Sequence, residues 1–84
     1  MTTFRDVIEQ HYTARGIGIT AALGLVWTQT GISMPALWNA YHGRRVTGTT
    51  AQVLERWALT NHRVHVDVVA MVTAPTRTRA AGKA

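Results

Sequence analysis

An all-α domain of four to five short helices is what this sequence predicts, and three observations carry that expectation. Apolar residues recur at three- and four-residue spacing in successive windows, Phe4-Val7-Ile8-Tyr12, Leu37-Ala40-Tyr41 and Val53-Leu54-Trp57-Ala58, which is the period of one helix face. Thr or Ser precedes these windows, ready to accept from an orphan backbone N–H, and Gly16, Gly31 and Gly43 fall where helices should stop. The stretch from Gly31 to Gly43, Gly-Ile-Ser-Met-Pro-Ala-Leu-Trp-Asn-Ala-Tyr-His-Gly, combines a glycine corner, a serine cap and an early proline, so two helices should meet there at a tight turn.

Taken in order, Thr2 or Thr3 should cap a first helix running to about Arg15, with Phe4, Val7, Ile8, His11 and Tyr12 inward and Arg5, Asp6, Glu9 and Gln10 outward. Thr20 should cap a second helix from Ala21 to about Thr30, stopped by Gly31. Gly24 inside it costs roughly 1 kcal/mol of helix propensity relative to alanine, which implies close packing or a shifted boundary. The third helix, residues 33–42, turns Leu37, Ala40 and Tyr41 toward a core and leaves Met34, Trp38, Asn39 and His42 pointing outward. After the Arg44-Arg45-Val46-Thr47-Gly48 loop, Thr49 or Thr50 should cap a fourth helix to about Asn61. Its solvent face carries Gln52, Glu55, Arg56 and Thr60, with Glu55 placed to pair with nearby arginines. Trp27 and Trp57 are expected in the core, the usual use of indole.

Residues 64–72 read two ways. Val64-His65-Val66 alternation suits a β-strand, whereas Asp67 as a cap before Val68, Met71 and Val72 suits a fifth helix ending ahead of Pro75; the helix is favoured. The domain should therefore span residues 1–74, and residues 75–84, with Arg77, Arg79 and Lys83 but no large apolar side chain, should form a flexible basic tail.

Composition narrows the function classes. Apolar content of 46% is ordinary, and no run approaches the roughly 18 apolar residues of a membrane helix. The start of the chain lacks the basic segment and apolar block of a secretory signal, so a cytoplasmic location is expected. Cysteine is absent, which removes disulfides and thiol catalysis. No phosphate-binding glycine loop is present, since Arg15-Gly16-Ile17-Gly18 has neither the third glycine nor a preceding strand. Ser33, the only serine, is explained as a cap, and no carboxylate pair is set up for acid–base work, so neither an enzyme nor a small-molecule substrate is expected. His62, His65 and Asp67 lack a second cluster to complete a metal site, and no metal or cofactor is expected.

Charge points to a partner. Nine Lys and Arg against four acidic residues give a net charge of +5, and the excess lies after Gly43, in Arg44, Arg45, Arg56, Arg63, Arg77, Arg79 and Lys83. Clustered positive charge suits a polyanion, because neutralising phosphates releases condensed counterions; its plainer use is solubility.

From about Thr20 to Asn61, half of the chain, the order of elements resembles the helix-turn-helix domains of the lambda-repressor and Cro-like family. The family's corner glycine falls on Gly31, the apolar residue after it on Ile32, the buried recognition-helix positions on Leu37 and Ala40, and the helix-ending glycine on Gly43. Two departures stand out: Trp27 falls where the family has a small residue, and the interval from Thr20 to Gly31 is longer. The resemblance implies a regulator of the kind found in bacteriophages or prophages, a homodimer on double-stranded DNA in a bacterial host cell, with Ser33, Met34, Pro35, Trp38, Asn39 and His42 along the major groove. Asn39 would then pair with adenine, Ser33 with a phosphate or base edge, and Met34 and Trp38 would make apolar contact with a thymine methyl or with sugar. Arg44, Arg45, Thr47 and Thr49 would hold phosphates beside the groove, and Arg77 and Arg79 would follow the backbone or a minor groove. An excision factor or an antitoxin uses the same module. The rival from another class is a protein-binding adaptor that offers Met34, Trp38 and residues 64–72 as an apolar contact surface.

Overall fold

The computed structural model describes residues 2–73; the expected tail at 75–84, with Arg77 and Arg79, lies outside the described residues. Within them the chain is all-α, with five helices: α1 Phe4–His11, α2 Ile19–Thr30, α3 Met34–Tyr41, α4 Gly48–His62 and α5 Val68–Thr73.

Helix α1 begins as its sequence demands. Thr3 Oγ1 accepts from the Asp6 amide at 3.1 Å and Asp6 Oδ2 accepts from the Thr3 amide at 3.0 Å, a reciprocal capping box. The helix stops at His11 rather than reaching Arg15. Tyr12 leaves helical geometry at φ −128° to bury its ring, the Thr13 hydroxyl donates to the Glu9 carbonyl at 3.1 Å, and Thr13–Arg15 form a single 3-10 turn.

Two later starts also move. Helix α2 opens at Ile19 with Gly18 in the cap position, which leaves Thr20 exposed inside the helix and not at its cap. Helix α4 is capped by Thr47 and not by Thr49 or Thr50: the Thr47 hydroxyl accepts from the Thr50 amide at 3.2 Å, so the helix gains its first turn from Gly48 onward. Its buried stripe is Ala51, Leu54, Trp57 and Ala58, with Val53 only half-buried.

The larger correction concerns Trp27. It is 51% exposed, because Ala22, Leu23 and Val26 fill the inward arc of α2 and a residue one step past Val26 is turned about 100° away. Trp57, by contrast, sits in the core as expected. Its ring meets Phe4 edge-on at 5.9 Å and stacks on Tyr12 at 6.4 Å, and its Nε1–H donates to Gln29 Oε1 at 2.6 Å, so the indole is buried without an orphan donor.

The segment after α4 resolves in favour of helix. Asp67 Oδ1 accepts from the Ala70 amide at 3.1 Å and opens α5, while Val66 forms only an isolated parallel bridge to Thr2. The Asp67 amide donates to the Thr2 carbonyl at 3.2 Å and Val46 donates to Met71 at 3.0 Å, so α5 is tied to both the start of the chain and the link after α3. Helix α4 ends on Arg63, the only described residue other than glycine with positive φ, at +57°. A side chain in that region costs about 1–2 kcal/mol relative to the right-handed basin. Arg63→Gly is therefore expected to raise stability by about 0.5–1 kcal/mol in urea unfolding, the relief of strain outweighing the added freedom of the unfolded chain.

A second consequence follows from the histidines that join α1 to α4. The His11 and His62 rings stack at 4.3 Å, and His62 Nε2 lies 3.0 Å from the Tyr12 hydroxyl. Burial, then the neighbouring His11 and Arg15, lower the His62 pKa below the ordinary histidine value. The unfolded chain thus takes up a proton in a range where the folded chain resists it, so stability falls as pH drops below the ordinary histidine value. Urea midpoints measured at mildly alkaline and mildly acidic pH should show this loss in the parent chain and a smaller one in His62→Gln; an equal loss in both would refute the assignment.

Candidate nucleic-acid interface

Helices α2 and α3 meet at the corner that the sequence marks. Gly31 adopts φ +78°, its amide donates to the Trp27 carbonyl at 2.8 Å, and the Thr30 hydroxyl bridges the turn by donating to Val26 and accepting from the Ile32 amide. Ser33 then caps α3, its hydroxyl accepting from the Ala36 amide at 3.4 Å, with Pro35 inside the first turn. At the far end Arg44 donates to Asn39 at 2.8 Å and Gly43, at φ +76°, donates to Ala40 at 3.2 Å. That bond pair closes a helix end through a left-handed glycine.

Helix α3 is held by its inner residues. Leu37, Ala40 and Tyr41 are buried, and the Tyr41 hydroxyl donates to Glu9 Oε2 at 3.2 Å. Burial first, and that bond next, push the Tyr41 pKa above its ordinary value. Glu9 also accepts from Arg5 Nε at 2.9 Å, and the Arg5 guanidinium lies 5.4 Å from the Tyr41 ring centre. This is the one ion pair among the described residues, and Glu55, expected to pair with arginine, makes none there.

The outer side of α3 departs from the expected row of free side chains. Ser33, Pro35 and His42 are exposed, whereas Met34, Trp38 and Asn39 are half-buried, with Met34 and Trp38 packed against the core. The Trp38 ring stacks on His42 at 5.5 Å and meets Tyr41 edge-on at 6.0 Å. A bulky ring on the rim of a short helix gains more from covering its neighbours than from standing in water. The Asn39 carboxamide makes no hydrogen bond to the described residues, so its donor and acceptor remain available.

The flanking cations separate. Arg45 is exposed, while Arg44 is half-buried and lines a groove of about 410 Å³ with Phe4, Asp67 and Met71. Neither has an ion-pair partner among the described residues. Thr47 spends its hydroxyl on the α4 cap and on Thr50, whereas Thr49 is exposed one position into the helix, beside amides that the first turn leaves unpaired. His62 faces His11 and Tyr12, and Asp67 caps α5, so these two are not drawn together with His65; among the described residues no group of three or more potential ligands could hold a metal ion.

Sequence reasoning missed the exposure of Leu25 and Trp27 on α2, and it placed Arg56 on the solvent face of α4 without the cleft it shares with Gln29, Thr30 and Trp57 where α2 meets α4. A plain fact of the sequence bears on both: from Gly16 through Gly43 there is no Lys, Arg, Asp or Glu. The arginines near it, Arg56 at the α2–α4 cleft and Arg44 and Arg45 past the end of α3, come from outside that stretch. Comparison of the chain with protein-family models, with curated proteins and with solved structures finds no match.

The corner makes opposite demands on two glycines. Gly31→Ala forces a side chain into a left-handed residue and is expected to lower stability by about 1–2 kcal/mol. Gly24→Ala, inside α2 with nothing within 4 Å of an added Cβ, is expected to raise it by about 0.5–1 kcal/mol. Urea unfolding of the two variants at one protein concentration reads the difference in sign.

Proposed function

We propose that this chain is a sequence-specific, double-stranded DNA-binding transcriptional regulator of the Cro or repressor type, with α3 as the element that enters the major groove. The observation that carries this is the α2, Gly31, α3 corner followed by the Gly43 stop and the Thr-capped α4, with a polar outer edge on α3 and unpaired arginines just beyond it. Ser33, Asn39 and His42 are the base-reading residues of this proposal, with Met34 and Trp38 offering apolar contact at the rim. Arg45, Thr49 and, from its half-buried position, Arg44 hold phosphates, joined by Thr47 and by Arg77 and Arg79. Asn39 matters most, because a free carboxamide matches the paired donor and acceptor of adenine, worth about 1–3 kcal/mol of discrimination. A homodimer on a two-fold operator and a cytoplasmic location in a bacterial cell belong to the same proposal, as does repression by occupancy.

The uncharged stretch from Gly16 to Gly43 favours a second role, an adaptor that binds protein through apolar contacts. A salt titration separates the two. Phosphate binding gives a linear fall of log affinity with log salt, steeper by about 0.9 for each phosphate neutralised. Asn39→Ala should flatten the preference among duplexes selected from a random pool, whereas Arg45→Ala should weaken all duplexes about equally and reduce the salt slope. Failure of the parent chain to retard any duplex at low salt would retire the regulator in favour of the adaptor.

A further inference from the structure

We infer that the outer face of α2 is a self-association surface, covered by the same face of a second copy of this chain. Two of the four exposed large apolar residues among the described residues, Leu25 at 44% and Trp27 at 51%, lie on this one helix. At 3.6 residues per turn they stand on its two flanks, with Ala21, Gly24 and Thr28 forming the floor between them. The inner face of α2 is apolar as well, through Ala22, Leu23 and Val26. The outer arc carries no charge, and its polar side chains, Thr20 and Thr28, are small hydroxyls. Position 24 opens on empty space, so a second backbone has room to approach there.

Charge selects the occupant. The chain carries +5, and exposed Arg15, Arg45, Arg56 and Arg63 would each meet its own twin or another cation if copies joined through the faces that bear them. Along α2 itself no charged side chain occurs, and Arg56 of α4 approaches it at Gln29 and Thr30, near its C-terminal end, so two copies can meet over Gly24 without like charges in contact. An acidic partner or a nucleic acid finds no cation on this face to pair with. Two-fold packing is also self-consistent, since Trp27 of each copy then covers Leu25 of the other. A chain with so small a core gains most from such burial.

This surface does not depend on the DNA-binding proposal, and its test contains no nucleic acid. Sedimentation of the full chain from micromolar to millimolar concentration is expected to show a monomer–dimer equilibrium. Trp27→Glu and Leu25→Arg should each weaken it by at least about a hundredfold in Kd, because each sets a charge in a dry contact, with far-UV circular dichroism unchanged; Asn39→Ala should leave the dimer intact. Since the chain has no cysteine, Gly24→Cys provides a clean second measurement, and oxidation should trap a disulfide-linked dimer. A chain that stays monomeric throughout, or a dimer that survives both charged variants and gives no crosslink, overturns the inference. A dimer that forms through α2 but retards no duplex retires the DNA-binding proposal alone.

Discussion

The indole of Trp57 is the contact on which the rest of the structure depends. At 4% exposure it sits where three helices converge, against Phe4 and Tyr12 from the α1 region and hydrogen-bonded to Gln29 of α2. His62, one helical turn later on α4, meets the same ring edge-on at 5.1 Å and reaches Tyr12. A tryptophan buries a large apolar area but carries a donor that must be satisfied, and the short bond to Gln29 lets it do both. That bond also fixes how α2 lies on α4, and through the Gly31 corner it fixes where α3 begins.

From that frame follows the character of the candidate interface. Tyr41 anchors α3 to α1 through Glu9, and Arg5 spends its charge on the same carboxylate, so the positive charge left near α3 comes from Arg45 and its neighbours. The outer edge of α3 itself carries no Lys, Arg, Asp or Glu. In the proposed DNA-binding role, phosphate contacts would supply most of the affinity and base edges the selectivity, and the arginines beyond the end of α3 would serve the first while its uncharged edge served the second. Half-buried Trp38 packs against His42 and Tyr41 at the helix end, beside the half-buried Asn39.

Helix α2 carries no charge on either side, and large apolar residues lie on both. Its inner side completes the core, and its outer side holds Leu25 and Trp27 in water. Trp27, expected in the core, stands 51% exposed on that outer side.

Much of this was legible from residues alone, because it depends on local chemistry. The Thr3 and Ser33 caps, the positive φ of Gly31 and Gly43, the inward sets of α1 and α3, and Asp67 as the start of α5 all follow from hydrogen-bonding capacity and backbone freedom within a few residues. Other features were decided only by tertiary packing. Whether Thr47, Thr49 or Thr50 capped α4 depended on the link pinned by Val46 to Met71, and the early end of α1 depended on the pull of Tyr12 into the core. Of two similar tryptophans, only Trp57 found both a cavity and an acceptor, while Trp27 was left outside because smaller side chains had already filled the inward arc of α2. Sequence thus determined which helices form and where they turn; the competition for one small interior, which no single segment can register, determined which side chains remained at the surface to meet a partner.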